Sequence, residues 1–93
     1  MVVGICTVEI HLPYCHSLKE KRRILQSLMT RLRGRHNISF AEVDAQDLWQ
    51  RAVLGITAVA SARRPVESMF ESILGEIESR IPGEITAREI EYL

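Results

Sequence analysis

Two stretches of this 93-residue chain carry apolar residues at helical spacing, and they limit the folds open to it. At about 100° per residue, the members of each set fall on one side of a helix. Ser17 and Glu20 have the spacing of a capping box before the first set, and Gly34 offers a stop after it. Pro65 suits the first turn of the second helix, and Pro82-Gly83 ends it. The two sets are Leu18, Ile24, Leu25, Leu28, Met29 and Leu32, then Val66, Met69, Phe70, Ile73, Leu74 and Ile77.

Four segments with β-branched or alternating residues surround these helices: residues 2–12, 37–44, 49–60 and 84–93. The order β-α-β-β-α-β with right-handed crossovers predicts an α+β, ferredoxin-like split β-α-β sandwich. Its four-stranded antiparallel sheet has the order 4-1-3-2, and both helices cover one face. Residues 1–93 form one domain, because the chain is too short for two cores. The end of the first strand, the start of the first helix and the connection between strands two and three then meet at one end.

Composition excludes several classes of protein. With 46% hydrophobic residues the chain is not disordered, and it has no apolar run long enough to cross a bilayer. Because the first residues also lack a leader sequence, we expect a cytoplasmic protein. We expect Cys6 and Cys15 to be free thiols, since their spacing matches no zinc signature. No cofactor is expected.

Charge is balanced overall, with 12 basic and 12 acidic residues, but it is unevenly distributed. Between Lys19 and Arg35 there are seven basic residues against Glu20 alone, a local net charge of +6. Such a helix can follow a phosphate backbone, or it can be a solvated face or dock an acidic protein. The candidate nucleic-acid contacts are Lys19, Lys21, Arg22, Arg23, Arg33, Trp49 and Arg51.

Lys21 is unusual because it lies inside the apolar arc of the first helix. A lysine there must extend past the helix end or meet a carboxylate. The topology offers Glu9, Asp44 and Asp47 as partners in a structural ion pair. The alternative is a lysine that binds phosphate.

The connection between the second and third strands is rich in polar residues. Period-two alternation turns Trp49 and Arg51 toward the open face of the sheet. The second strand is ambiguous: the preferred choice places Ala41 and Val43 inward and Phe40, Glu42 and Asp44 on the open face, and the reverse is the alternative. On that choice Arg51 stands between Glu9 and Glu42, either in an ion ladder or in a polar pocket where Trp49 offers a stacking surface. The polar cluster is Ser17, Glu9, Asp44, Gln46 and Asp47.

Two further surfaces follow from the same topology. The residues Val3, Ile5, Phe40 and Val53 would form an apolar patch on the open face, covered by a second copy or another partner. Glu9, His11, Glu42 and Asp44 are compatible with a divalent cation, but Arg51 would compete with it, so no metal site is expected. No glycine-rich phosphate loop and no evident nucleophile with a histidine and a carboxylate is present.

The run SLKEKR at residues 17–22 and the run EVDAQDLWQR at residues 42–51 resemble the YlxP-like family, a small bacterial family of unknown function. The resemblance covers nearly the whole chain. It implies a ferredoxin-like fold and a cytoplasmic bacterial protein whose relatives are often encoded among translation-initiation and ribosome-assembly factors. It implies no reaction. By the match of the two runs, the resemblance implies a functional surface at Ser17, Lys19, Lys21, Arg22, Asp44, Gln46, Asp47, Trp49 and Arg51.

Three functions are therefore considered. The first is a non-enzymatic accessory factor that binds RNA or a ribosomal particle through the basic helix and the connection carrying Trp49. It would not be a standard RNA-recognition motif, because residues 51–60 contain no aromatic side chain. The second is a homodimeric interaction module that uses the open sheet face. The third is a metal-dependent enzyme such as a nuclease.

Overall fold

The computed structural model describes all 93 residues and contains the six elements in the predicted order. The sheet is antiparallel with the order β2-β3-β1-β4, which is the predicted order counted from the other edge. The α+β, ferredoxin-like fold is therefore confirmed. The elements are β1 (Val2–His11), α1 (Leu18–Arg35), β2 (Ser39–Asp44), β3 (Arg51–Ala60), α2 (Arg63–Arg80) and β4 (Glu84–Tyr92).

The core lies between the two helices and one face of the sheet. In β1 the side chains alternate, so that Val8 and Ile10 are fully buried while Thr7 and Glu9 keep solvent contact. Neither helix combines the length and the apolar composition needed to cross a membrane. The helices contribute their predicted apolar faces to the core through Leu25, Leu28, Leu32, Val66, Phe70, Ile73, Leu74 and Ile77.

The start of α1 follows the predicted capping pattern. Ser17 Oγ accepts a hydrogen bond from the backbone N–H of Glu20 at 3.0 Å, and Glu20 Oε2 accepts one from the backbone N–H of His16 at 3.2 Å. The predicted stop at Gly34 is wrong, because Gly34 lacks the positive φ of a glycine cap and α1 continues through Arg35.

The preferred orientation of β2 is also wrong. Phe40 is 4% exposed and pairs with the buried Ile56, so it belongs to the core and not to the open face. Val43 is 52% exposed, and the strand pairing shifts between Glu42 and Asp44. This β-bulge breaks the alternation, because it leaves Glu42 on the helix side and returns Asp44 to the open side.

The predicted meeting of elements at one end of the domain is confirmed. Gln50 Nε2 donates to the carbonyls of Pro13 at 3.2 Å and Cys15 at 3.3 Å. These bonds join the turn before β3 to the loop that precedes α1. The start of β4 lies here too, since a side chain at Gly83 would collide with the carbonyl of His11. We call this region the hairpin end, and residues 44–51 the hairpin.

Candidate functional site

The hairpin end is organised around the ammonium group of Lys21, which is 1% exposed. Its Nζ donates to the backbone carbonyls of Ala45 at 2.9 Å, Gln46 at 3.2 Å and Arg51 at 3.2 Å. A lysine ammonium has three protons to donate, and the oxygen atoms around it leave none free for a ligand in solution. The predicted nucleic-acid contact at Lys21 is therefore wrong, because the ammonium is neither accessible nor free to donate.

The carboxylate that balances this charge belongs to Glu42. Its Oε2 lies 2.8 Å from Lys21 Nζ, the shortest contact that the ammonium makes, so the group is surrounded by four oxygen atoms. The expectation of a buried ion pair is thus confirmed. The predicted partners Glu9, Asp44 and Asp47 are wrong, because the inward orientation of β2 brings Glu42 to Lys21 instead.

The turn of the hairpin holds a residue in an unfavourable backbone conformation. Ala45 has φ of 59°, a left-handed conformation that costs an L-residue roughly 1–2 kcal/mol. Asp44 Oδ1 accepts from the N–H of Ala45 at 2.8 Å, and the Ala45 carbonyl accepts from both Lys21 and the N–H of Leu48. These hydrogen bonds hold the strained turn in place.

On the open side of the sheet, Arg51 pairs with Glu9. Arg51 donates to Glu9 Oε2 at 2.7 Å, and Thr86 Oγ1 donates to Glu9 Oε1 at 3.1 Å. The hydrogen bond from Arg51, and then that from Thr86, lower the pKa of Glu9 below its ordinary value near 4.5, while Glu9 raises the pKa of Arg51. The predicted pairing of Arg51 with Glu9 is confirmed, and its pairing with Glu42 is wrong.

The four residues considered for a divalent cation do not form one donor set. Glu9 and His11 lie on the open side, whereas Glu42 contacts Lys21 on the helix side. Nδ1 of His11 lies 4.0 Å from Glu84 at the start of β4. No group of three or more histidine, cysteine, aspartate or glutamate side chains comes together in a metal-binding arrangement.

An aromatic side chain is exposed beside this network. Trp49 is 51% exposed and Leu48 is 48% exposed. Together with His11, Asp47 and Arg51 they line a shallow cavity of about 460 Å³. A flat aromatic ring next to a guanidinium provides a surface on which an unpaired base can stack.

The basic residues of α1 divide into engaged and free groups. Arg33 donates to the Phe40 carbonyl at 3.0 Å, and Arg35 pairs with Glu76 at 3.1 Å. The others, apart from the buried Lys21, are exposed and form no ion pair. These free cations are Lys19, Arg22, Arg23 and Arg31.

The remaining members of the predicted polar cluster support the local structure. Ser17 caps α1, while the carbonyl of Gln46 accepts from Lys21. Asp47 lines the Trp49 cavity.

Two features of the site were not predicted from the sequence. One is Glu42 as the partner of Lys21, and the other is a groove between the two helices that Arg31 and Arg80 line. The spacing of Arg23 and Arg31 along α1 could have indicated that both lie on the same wall of this groove. The contribution of Arg80 could not be predicted, because it depends on the tertiary fold.

Fold and site together define a small ferredoxin-like domain with a basic first helix and a buried lysine, Lys21, that links this helix to the hairpin. The chain belongs to the DUF503 family, since the model of that family, described as a protein of unknown function, matches residues 3–90. It is also 37% identical over 78 residues to the uncharacterized protein YlxP of Bacillus subtilis (strain 168), covering 84% of this chain and 85% of that protein. The resemblance to the YlxP-like family is confirmed.

Replacing Lys21 with methionine should destabilise the protein. Loss of one partner from a buried ion pair costs about 3–5 kcal/mol, and we expect about 2–4 kcal/mol because Glu42 keeps partial solvent contact. Urea unfolding of Lys21→Met measures this loss. The matched control is Lys19→Met on the exposed side of α1, which should change the free energy of unfolding by less than about 0.5 kcal/mol. Equal stabilities of the two variants would contradict the role of Lys21.

The Glu9–Arg51 pair should make stability depend on pH. Because the folded-state pKa of Glu9 is lowered, its contribution is present above the ordinary value near 4.5 and is lost as pH falls through the folded-state pKa. Thermal unfolding should therefore show Glu9→Gln less stable than wild type at neutral pH, with a gap that narrows as the pH falls below the ordinary carboxyl pKa near 4.5. A gap of constant size over this range would refute the pairing, since other carboxylates titrate alike in both proteins.

Proposed function

We propose that this protein is a non-enzymatic, cytoplasmic accessory factor that binds structured RNA, as part of a ribosomal particle or its assembly intermediate. The observation that carries the proposal is the set of unpaired cations on the outer side of α1, at the same end of the domain as the exposed Trp49. Lys19, Arg22 and Arg23 lie in its first two turns, next to the hairpin. The ribosomal part of the proposal follows the family's frequent gene neighbours.

The unpaired state of these cations is informative because carboxylates are plentiful. The chain contains 12 acidic and 12 basic residues, yet none of the ion pairs involves these cations; Arg63, for example, pairs with Glu67 within α2. Cations clustered on one helix repel one another and gain free energy when an anion replaces their counterions. A phosphate backbone satisfies that requirement without any sequence-specific contact.

Trp49 supports RNA as the polyanion. Sequence-specific RNA binding commonly places unpaired bases on aromatic side chains, and Trp49 is half exposed in the hairpin, at the end of the domain where α1 begins. The open sheet face does not provide such contacts, since the outward residues of β3 include Val53, Gly55 and Thr57. We therefore place the RNA on the hairpin end and α1. The two buried free thiols, Cys6 and Cys15, are compatible with a reducing cytoplasm.

An anisotropy titration with a labelled RNA stem-loop tests the proposal. The double variant Lys19→Gln/Arg22→Gln should bind at least about tenfold more weakly, with a salt slope lower by about two, because two phosphate contacts are lost. The matched control Arg64→Gln/Arg88→Gln removes two unpaired exposed arginines outside α1 and the hairpin and should bind within about twofold of wild type. Absence of binding at low salt, or equal loss in both variants, would refute the proposal.

A second candidate function is self-association through the open sheet face. Val43 and Val59 are 52% and 50% exposed there, and Val3 and Ile5 are partly exposed on the same face. The predicted contribution of Val53 is wrong, because its side chain is 9% exposed. Phe40 is not part of this surface, and Val43 takes its place. The outward side chains of β3 beyond Arg51 are uncharged, so a second copy of the same face is a suitable partner.

Light scattering at high protein concentration tests this second candidate. It predicts a dimer for the wild type and a monomer for Val59→Glu, since a charge buried at the centre of an apolar interface is costly. Tyr14→Glu alters an exposed aromatic residue in the loop before α1 and should leave the dimer intact. A monomeric wild type, or a dimer that survives Val59→Glu, would rule out this interface.

A further inference from the structure

We infer that the groove between α1 and the C-terminal end of α2 is a binding site for the phosphate backbone of an RNA strand. This inference rests on the RNA-binding function proposed above and adds the path that the backbone takes. The groove has a volume of about 1150 Å³. Arg23 and Arg31 of α1 line it together with Arg80, the last residue of α2.

The charge of the groove points to an anionic ligand. Its three arginines are exposed and form no ion pair. No aspartate or glutamate is among the eleven residues that line it. Three guanidinium groups around one concavity repel one another, and this repulsion is relieved when an anion enters.

The spacing of the arginines fits an extended polyanion. Arg23 and Arg31 are eight residues apart on one side of α1, which corresponds to roughly 12 Å along the helix axis. A nucleic acid strand in a duplex carries one phosphate per about 3.4 Å of axis, so this length spans about three or four phosphates. The groove also exceeds the roughly 300–1,000 Å³ of typical small-molecule pockets.

The residue types in the walls fit phosphate and sugar. Arginine presents a planar fork that binds phosphate oxygens through two hydrogen bonds at once, which lysine cannot do. Ser27 and Thr30 of α1, and Ser79 of α2, add hydroxyl groups to the same walls. Hydroxyl side chains commonly contact the phosphates and sugars of a backbone.

The floor of the groove favours a backbone over an acidic protein partner. Leu28 is 4% exposed and Ile81 is 8% exposed, and only Ile24 and Pro82 among the apolar lining residues keep more contact with solvent. A docking helix needs a row of accessible apolar anchors, which Ile24 and Pro82 alone do not provide. Arg23 belongs both to the groove and to the basic outer side of α1, so a strand that leaves the groove passes toward the hairpin end.

The double variant Arg31→Gln/Arg80→Gln tests the groove on the same RNA stem-loop. We expect at least about tenfold weaker binding and a salt slope lower by about two. Arg64→Gln/Arg88→Gln removes the same charge outside the groove and should bind within about twofold of wild type. If the groove variant matches this control while Lys19→Gln/Arg22→Gln still weakens binding, the groove inference fails and the proposed function stands. If none of the variants weakens binding, both fail.

A competition experiment separates RNA from an acidic protein partner. Unlabelled RNA should displace the labelled stem-loop at concentrations at least about tenfold lower than poly-glutamate of equal charge, because carboxylates on a flexible peptide do not reproduce the spacing of phosphates. Equal potency of the two competitors against the wild type would overturn the assignment to a phosphate backbone.

Discussion

The arrangement of the hairpin end depends on one buried ammonium group. Lys21 is the only charged or polar residue in the buried set, and its four oxygen partners come from the hairpin and the strand that leads into it. Burial of such an ion pair costs desolvation free energy and adds little net stability compared with an apolar pair. What it provides is a single arrangement, because three carbonyls must point at one atom of α1.

The contacts of Lys21 also determine how the surface around the hairpin is arranged. They fix the strained Ala45 turn and tie the hairpin, which carries Trp49, to the first turn of α1. The exposed aromatic residue and the basic helix start therefore lie at the same end of the domain, and Arg23 connects that helix start to the groove between the helices. The opposite face of the sheet is apolar around Val43 and Val59. A polyanion on the helix side and a second copy on the sheet face would not compete for the same surface.

Much of this structure could be predicted from the sequence because it depends on local patterns. The helical arcs, the alternating strands and the cap at Ser17 determine the fold, and Lys21 stands out within an apolar arc. The partner of Lys21 could not be found that way, because the bulge at Val43 interrupts the alternation between Glu42 and Asp44. Glu42 therefore faces the helices and Asp44 faces the open side of the sheet. Alternation alone places Phe40, Glu42 and Asp44 on one face, whereas the structure separates Asp44 from the other two.

The groove illustrates the second limit of sequence reasoning. Arg23 and Arg31 share one side of a helix, which their spacing shows, but Arg80 joins them only because the end of α2 lies beside the middle of α1. The amino-acid composition does not indicate a basic groove, since the chain has no net charge. The unequal distribution of ion pairs, which leaves these arginines free, is a property of the folded molecule.

An NMR titration of isotope-labelled protein with the RNA stem-loop tests the central claim most directly. If Lys21 holds the start of α1 and the hairpin together as one binding surface, their NMR signals will respond to RNA together. The resonances of the Lys19 and Arg22 amides and of the Trp49 indole N–H will then shift with one dissociation constant. Shifts confined to the open sheet around Val43 and Val59, or helix shifts without any change at Trp49, would contradict it.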